Sequence, residues 1–304
     1  MEYVLETNAL CKSYGNFKAL NNLTMHIPKG SIYGFVGKNG AGKTTLIRLI
    51  CGLQKPTSGE YLLYGKKYND PEIGKSRCRI GAVVETPSIY MDMTAMGNLK
   101  QQALLLGLPS FQELSDILAL VGLQDTGRKK AKAFSLGMRQ RLGIAIALVG
   151  NPDFLILDEP TNGLDPQGII EIRELILKLN RERQVSILIS SHILDELSRL
   201  ATHYGFLDKG HLLKELTASE LDEACRKCMR ATVSNVTALA RVLDSMQVSY
   251  KILSETAADI YADIPVSRLA LALDKENCEI LSLLEHDENL EGYYMELMGG
   301  ADHE

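Results

Sequence analysis

The residues whose types and spacing point most directly to chemistry lie between Gly37 and Thr44, in the order Gly-Lys-Asn-Gly-Ala-Gly-Lys-Thr. Glycine lacks a Cβ, so this backbone can close around a triphosphate, and the N–H groups that open the following helix carry partial positive charge. Lys43 adds a full charge for the β and γ phosphates, and the Thr44 hydroxyl is placed to bind Mg²⁺. The alternative is a glycine-rich turn with no ligand. It is disfavoured because an apolar strand precedes the stretch and an amphipathic helix follows it.

Two carboxylates and a polar triplet follow apolar runs farther along the chain. Asp158 and Glu159 come directly after the run 154–157, and Ser190, Ser191 and His192 follow the run 185–189. Ligands of α/β sheets gather outside the carboxyl ends of the strands, so both groups are expected at an active-site edge. We expect Asp158 to hold Mg²⁺, directly or through water, and Glu159 to polarise an attacking water. The alternative is that these two acidic residues end the strand and take no part in binding or catalysis.

Two further features carry weaker signals. Ser135 and Gly137 stand at the start of an apolar helix that runs to Leu148. A serine and a glycine there could form a second phosphate-facing helix N-terminus. Tyr14 lies near a predicted turn, where its ring could stack on an adenine, although spacing alone favours a packing role.

The elements that must position these residues alternate between strands and helices, which predicts an α/β fold. Period-two patterns predict strands over 2–10 and 18–27, and apolar runs predict strands over 31–36, 60–64, 79–84, 153–157 and 185–189. Two helices are predicted to begin near Lys43 and near Pro166, and two more lie between residues 93 and 123. A further helix is predicted to end at Leu148.

Composition indicates a globular chain long enough for two domains, since 45% of its 304 residues are hydrophobic. No charged-then-apolar leader stands at the start, and the longest apolar stretch is too short for a membrane helix, so a soluble, unexported protein is expected. The six cysteines are expected to be reduced thiols, and Cys225 and Cys228 to share a helical turn rather than bind zinc.

Charge is distributed unevenly along the chain. Residues 1–211 carry 25 Lys and Arg against 20 Asp and Glu, whereas residues 212–304 carry 8 against 18. Phosphate affinity comes chiefly from Lys and Arg, so nucleic-acid binding by the C-terminal part is not expected. A merely solvated acidic surface explains this part equally well.

Taken together, these residues resemble the ATP-binding cassette, the nucleotide-hydrolysing subunit of ABC transporters, over about residues 1–215. The matching positions are the adenine-stacking aromatic (Tyr14), the Walker A loop (Gly37, Asn39, Gly40, Ala41, Gly42, Lys43, Thr44 and Thr45), the signature loop (Ser135 and Gly137), the Walker B aspartate (Asp158), the catalytic glutamate (Glu159), the D-loop (Asp165) and the switch histidine (His192).

The resemblance implies a mixed-sheet core, an antiparallel β subdomain and an α-helical subdomain at about 88–150. It also implies that two cassettes, identical or paralogous, close head to tail around two ATP molecules with Mg²⁺. Each site would pair Lys43 of one cassette with Ser135 and Gly137 of the other. Glu159 would orient the water for in-line attack, and His192 would steady the γ-phosphate.

Two positions depart from the family pattern. Leu136 brings a bulky side chain to a glycine position of the signature loop, and Glu85 stands where the Q-loop glutamine is usual. A carboxylate binds Mg²⁺ more strongly than an amide does, so Glu85 is expected to take part in metal binding and catalysis and to couple metal occupancy to movement of the following helices.

Residues 85–95 narrow the resemblance to the ATPases of bacitracin export and lantibiotic immunity, which carry glutamate at this place. This implies separate multi-span permease subunits as partners, peripheral attachment to the inner face of the cell membrane, and an antimicrobial peptide as cargo. Three alternatives remain open: export of small lipophilic drugs or lipids, a non-transport cassette acting on ribosomes or DNA, and a regulatory module with slow or no hydrolysis.

Residues 216–304 lie outside the resemblance. Their pattern predicts the order βαββαβα, which would suit a small accessory α+β domain of ferredoxin-like type.

Overall fold

The structure is a computed structural model that describes residues 2–225, 228–262, 264–286 and 290–301. The chain divides into two compact units, residues 1–218 and residues 219–304. Each unit is described by itself.

The first unit contains both strands and helices throughout its described length. Its strands are β1 (Tyr3–Tyr14), β2 (Phe17–Pro28), β3 (Ile32–Val36), β4 (Ser58–Leu63), β5 (Lys66–Lys67), β6 (Ile80–Val83), β7 (Phe154–Asp158), β8 (Ser186–Ser191), β9 (His203–Asp208) and β10 (His211–Thr217). Its α-helices are α1 (Lys43–Ile50), α2 (Ile73–Arg77), α3 (Ala95–Leu105), α4 (Leu114–Leu120), α5 (Leu136–Leu148), α6 (Pro166–Arg183) and α7 (Leu194–Ser198).

The central sheet has the strand order β10-β9-β3-β8-β7-β6. Its strands run parallel except β10, which is antiparallel to β9. Every residue of β3, β7 and β8 is buried, as expected for parallel strands covered on both faces. Their carboxyl ends therefore meet at one edge of the sheet, where the glycine-rich loop, Asp158 and Ser190 lie together.

A second, antiparallel sheet has the order β2-β1-β4-β5. Tyr14 pairs with Phe17 where the β1–β2 hairpin closes. Leucines of this sheet, including Leu10, Leu20 and Leu23, join α1 and residues of the central sheet in one buried core. The predicted mixed core with an antiparallel sheet is confirmed.

The helical segment consists of α3, α4 and α5. Thr94 caps α3 by accepting a hydrogen bond from the Gly97 N–H at 3.0 Å, and Ser135 caps α5 by accepting one from the Met138 N–H at 3.2 Å. Asp165 caps α6 in the same way, with Pro166 in its first turn. Three helix starts are thus fixed by local sequence. In the described part of the chain, no helix combines the length and apolar character needed to cross a membrane.

The second unit contains four strands and four helices in its described residues. These are α8 (Ala218–Ala224, from the last residue of the first unit), β11 (Cys228–Val233), α9 (Val236–Ser245), β12 (Tyr250–Ile252), β13 (Ala257–Ile260), α10 (Val266–Lys275), β14 (Ile280–His286) and α11 (Leu290–Ala301). The strands form an antiparallel sheet in the order β12-β13-β11-β14. From β11 onward the element order is the predicted βαββαβα, whereas α8 was not predicted. The ferredoxin-like assignment stays a prediction.

Candidate functional site

The glycine-rich loop joins β3 to α1 and requires glycine at Gly42. This residue has φ +114°, and a Cβ on it would lie 2.5 Å from the carbonyl oxygen of Ala19. Gly42 is also the residue that precedes α1, so no side chain occupies the first N–H groups of that helix. Thr45 follows in its first turn. The loop thus combines a close backbone approach with an N-terminus open to an anion.

Lys43 is held inside the loop although its side chain is charged and only 6% exposed. Its Nζ donates to the carbonyl oxygens of Gly37 at 2.5 Å and Lys38 at 3.3 Å. It also lies 3.1 Å from Oε1 of Glu159, an ionic contact that lacks hydrogen-bond geometry. The ammonium group is therefore positioned by the backbone and faces the carboxylate at the end of β7.

Thr44, Asp158 and Ser190 form a connected group at the carboxyl ends of the strands. The Thr44 hydroxyl donates to Oδ2 of Asp158 at 2.9 Å, and the Ser190 hydroxyl donates to Oδ1 at 2.5 Å. Asp158 is 1% exposed and Ser190 is fully buried. Sequence reasoning recognised the triplet 190–192 but did not place Ser190 among the site residues. The signal was available, because Asp158 ends β7 and stands opposite Ser190, the next-to-last residue of the neighbouring parallel strand β8.

Glu159 and His192 contact each other, a pairing that sequence reasoning did not predict. Nδ1 of His192 lies 2.6 Å from Oε2 of Glu159. Glu159 has φ +50°, and its N–H donates to the hydroxyl of Ser190 at 3.0 Å. The Glu159 carboxylate therefore lies between an ammonium group and an imidazole.

A pocket of about 260 Å³ opens over this arrangement. It is lined by Phe17, Ala19, Lys38, Asn39, Gly40, Gly42, Lys43, Thr44, Thr45 and Glu159. Tyr14 is not among these residues. Its hydroxyl donates to Oε1 of Gln54, and Nζ of Lys12 lies 5.2 Å from the centre of its ring. The stacking role of Tyr14 stays a prediction, and Phe17 is a lining residue that sequence reasoning missed.

The signature-loop residues lie outside the pocket lining of their own chain. Ser135 is exposed and caps α5, and Asp165 caps α6. A Cβ on Gly163 would lie 3.4 Å from Cδ2 of Leu136, so the unusual leucine packs over the D-loop. Leu136 is nevertheless 51% exposed.

Glu85 forms an ion pair with Arg48. Its carboxylate accepts a hydrogen bond from Arg48 of α1 at 2.6 Å, and both side chains are partly exposed. In the described residues, no three His, Cys, Asp or Glu side chains gather as a metal site. The metal role of Glu85 stays a prediction, with Arg48 as its partner in this structure.

A groove of about 710 Å³ lies beside this ion pair, and Cys51, Cys78, Pro87 and Leu106 are among its lining residues. Burial of the Cys51 thiol raises its pKa to about 11.

Because the thiolate is the form that reacts, we expect iodoacetamide to alkylate Cys51 slowly, about tenfold faster for each pH unit between about pH 8 and pH 10. The exposed Cys78 serves as an internal reference for reagent access. Peptide mass spectrometry after timed quenching measures both sites. If Cys51 is alkylated at the same rate in the native chain and in chain unfolded by guanidinium chloride at about pH 8, burial does not raise the pKa of its thiol.

The fold is similar to that of solved ATP-binding cassettes. A dimeric post-hydrolysis structure of the cassette MJ0796, bound to ADP and phosphate, matches with a TM-score of 0.63 and 26% identity, covering 70% of this chain and 98% of that one. The fold and the site thus define a P-loop ATP-hydrolysing cassette.

Sequence comparisons identify the protein family. The family model for the ABC transporter matches residues 20–162. The bacitracin transport ATP-binding protein BcrA of Bacillus licheniformis is 39% identical over 306 residues, 99% of each chain. The lantibiotic transport ATP-binding protein SrtF of Streptococcus pyogenes is 43% identical over 219 residues, 71% of this chain and 93% of that protein. The chain belongs to the ABC transporter family, as an ATP-binding subunit.

Proposed function

We propose that this chain is the ATPase subunit of an exporter of antimicrobial peptides of the bacitracin or lantibiotic type. The observation that carries the proposal is the match to the bacitracin transport protein over 99% of both chains. That match includes the second unit, whereas the match to the lantibiotic transport protein has about the length of the first unit. Bacitracin-like peptides are therefore the favoured cargo.

We propose that the loop 37–44 and the N-terminus of α1 bind the triphosphate. The Lys43 ammonium would bind the β and γ phosphates, and in doing so would exchange its contact with Glu159 for one with the nucleotide. Hydrogen bonds to the carbonyl oxygens of Gly37 and Lys38 hold the Lys43 ammonium in place. A preset donor needs little reorganisation when charge develops on the phosphate.

Thr44 and Asp158 are the residues that would hold Mg²⁺. A hydroxyl oxygen and a carboxylate oxygen 2.9 Å apart at the loop are hard donors of the kind this ion prefers. The bound ion would neutralise charge on the phosphates. Ser190 would keep the Asp158 carboxylate oriented through its 2.5 Å hydrogen bond.

Glu159 would act as the general base for the attacking water, and His192 would orient it. The carboxylate lines the pocket beside Lys43, which puts a proton acceptor next to the phosphate site. With Nδ1 protonated, His192 donates to Oε2 of Glu159 and keeps the other oxygen available. After nucleotide binding, His192 would steady the γ-phosphate.

A second cassette would complete each site. Ser135, Gly137 and Asp165 lie outside the pocket of their own chain, and the related cassette MJ0796 has been solved as a dimer. We propose a head-to-tail pair, formed by two copies or by a paralogue, in which Ser135 and Gly137 of one cassette face the nucleotide of the other.

The groove beside Glu85 would receive a permease subunit. It is bordered by the C-terminal end of α3, where Leu104, Leu105 and the following Leu106 are exposed. The chain would thus work in the cytoplasm, attached to the inner face of the cell membrane through the permease, without nucleic acid as a partner.

The proposal is tested by purifying the chain with its bound partners from native membranes and measuring ATP hydrolysis with bacitracin, nisin or a small lipophilic compound. Stimulation of several-fold by a peptide, in a complex with multi-span subunits, is the expected result. A complex carrying Glu159→Gln gives the background rate of ATP hydrolysis from contaminating enzymes. If only the lipophilic compound stimulates hydrolysis, the cargo is a small lipophilic molecule and not a peptide. Recovery with ribosomes or DNA and no membrane partner would overturn transport.

A further inference from the structure

We propose that residues 128–132, together with the apolar side chains within residues 90–93, form a surface that binds the anionic headgroups of a lipid bilayer. The inference rests on the proposed attachment to the cell membrane and deepens it, because it adds a direct contact with lipid to the contact through the permease.

Positive charge is concentrated in the segment 128–132. Four of its five residues are basic, and all four side chains are exposed: Arg128, Lys129, Lys130 and Lys132. The chain contains no Asp or Glu from residue 126 to residue 152. Lys132 pairs with Asp92 at 2.8 Å, whereas Arg128 and Lys130 form no ion pair with any residue that the structure describes. The segment therefore keeps a net positive charge that attracts an anionic surface.

Exposed apolar side chains lie directly beside this basic segment. The N–H groups of Ala131 and Lys132 donate to the carbonyl oxygens of Met93 at 2.8 Å and Met91 at 2.9 Å. Tyr90 is 50% exposed, Met91 39% and Met93 38%. Backbone hydrogen bonds thus hold the basic segment and the apolar side chains next to each other on the helical segment.

A bilayer surface can accept both kinds of side chain. Its headgroup phosphates attract Lys and Arg, and the boundary with the acyl chains accepts apolar side chains. Each Lys or Arg near an anionic leaflet strengthens binding by about fivefold. A nucleotide triphosphate offers negative charge alone and would leave the apolar side chains in water. The combination therefore favours a lipid surface over a second nucleotide contact.

The surface is joined to the proposed permease groove by α3. Thr94, which caps α3, forms an isolated antiparallel bridge with Lys130. At the other end, Leu106 follows α3 and lines the groove. A helix of 11 residues spans about 17 Å. A permease subunit in the groove would thus hold the bilayer within reach of the basic segment.

Vesicle sedimentation tests the contribution of charge. We expect the chain to bind phosphatidylcholine vesicles that contain about one third phosphatidylglycerol, and not to bind pure phosphatidylcholine vesicles. Binding should be lost when salt is raised from about 0.1 M to about 0.5 M. The triple variant Arg128→Gln, Lys129→Gln and Lys130→Gln should bind about 100-fold more weakly, because three attractive charges are removed.

The matched control removes three exposed positive charges from α6, through Lys178→Gln, Arg181→Gln and Arg183→Gln. Its affinity for the same vesicles should differ from that of the native chain by less than about threefold. The proposal is overturned if the native chain does not bind anionic vesicles, or if both triple variants lose affinity to the same extent.

A single tryptophan tests the contribution of the apolar side chains, because the native chain contains none. The emission of Tyr90→Trp should shift to shorter wavelength on anionic vesicles and should be quenched by brominated lipid. Leu271→Trp on α10, at a position 68% exposed in the acidic second unit, is the control and should show neither change. A bound chain whose Tyr90→Trp emission is not quenched would contradict insertion of these side chains.

Two further measurements separate the bilayer from other partners of the same surface. MgATP should leave vesicle binding unchanged, and release of the chain by MgATP would assign the basic segment to a nucleotide site instead. If the variant with Gln at residues 128–130 binds vesicles normally but no longer copurifies with permease subunits, the surface binds protein and not lipid. Vesicle binding requires neither cargo nor hydrolysis, so its failure would leave the proposed function intact.

Discussion

Glu159→Gln is expected to lower ATP turnover by about 100-fold or more while leaving ATP bound at least as tightly as in the native chain. An amide cannot accept the proton of the attacking water, and general-base catalysis contributes on the order of 10²- to 10⁴-fold. In the structure the Glu159 carboxylate lies 3.1 Å from the Lys43 ammonium. ATP must displace this negative charge, and a neutral amide competes less for Lys43.

Phosphate release by the complete complex measures turnover, and calorimetry on the chain measures the ATP Kd. Glu174→Gln is a suitable control, because it makes the same charge change at an exposed position of α6. Retention of more than about a tenth of native turnover by Glu159→Gln would remove Glu159 from the role of general base. A weakened ATP affinity would show that its contact with Lys43 does not oppose binding.

The local parts of the site could be predicted from sequence because short-range rules determine them. An apolar strand, a glycine-rich stretch and an amphipathic helix, in that order, fix the loop that holds Lys43, since a helix N-terminus must follow the turn. Asp158 and Glu159 terminate a buried strand, and the parallel sheet then brings them to the edge where the loop lies. Element positions were accurate where hydrophobic runs were long, as in β7 and α5, whereas the two-residue strand β5 and the short helix α2 gave no usable pattern.

Sequence reasoning missed features that depend on side-chain placement between distant residues. The metal role of Glu85 stays a prediction, and no sequence pattern indicated that its carboxylate accepts a hydrogen bond from Arg48, 37 residues away in sequence. Phe17 received no role from sequence, since the second strand was predicted from residue 18, and its place in the pocket lining depends on the packing of β2 beside Gly42. In the second unit the element types were predictable, but the order β12-β13-β11-β14 depends on long-range pairing that no local pattern encodes.

Ser190 is the residue whose loss should reveal how the site is held together. Its hydroxyl donates to Asp158 at 2.5 Å and accepts from the Glu159 N–H at 3.0 Å, so one buried side chain supports both the carboxylate proposed for Mg²⁺ and the one proposed as base. Ser190→Ala leaves the buried Asp158 oxygen without this donor, and a hydrogen bond to a charged group is worth about 1.5 to 3 kcal/mol. We expect turnover to fall about tenfold to 100-fold and the Mg²⁺ concentration for half-maximal activity to rise.

Ser191→Ala separates this effect from a general loss of packing. Ser191 is 2% exposed and also ends β8, but its hydroxyl accepts from the N–H of Ile193 at 2.9 Å. Both variants lose a buried hydroxyl, and chemical denaturation should show both to be less stable than the native chain. Only Ser190→Ala should change the Mg²⁺ dependence, since only Ser190 contacts Asp158 in this pair. If the two variants have the same Mg²⁺ dependence, Asp158 does not depend on Ser190 for its orientation and the hydrogen bond is purely structural.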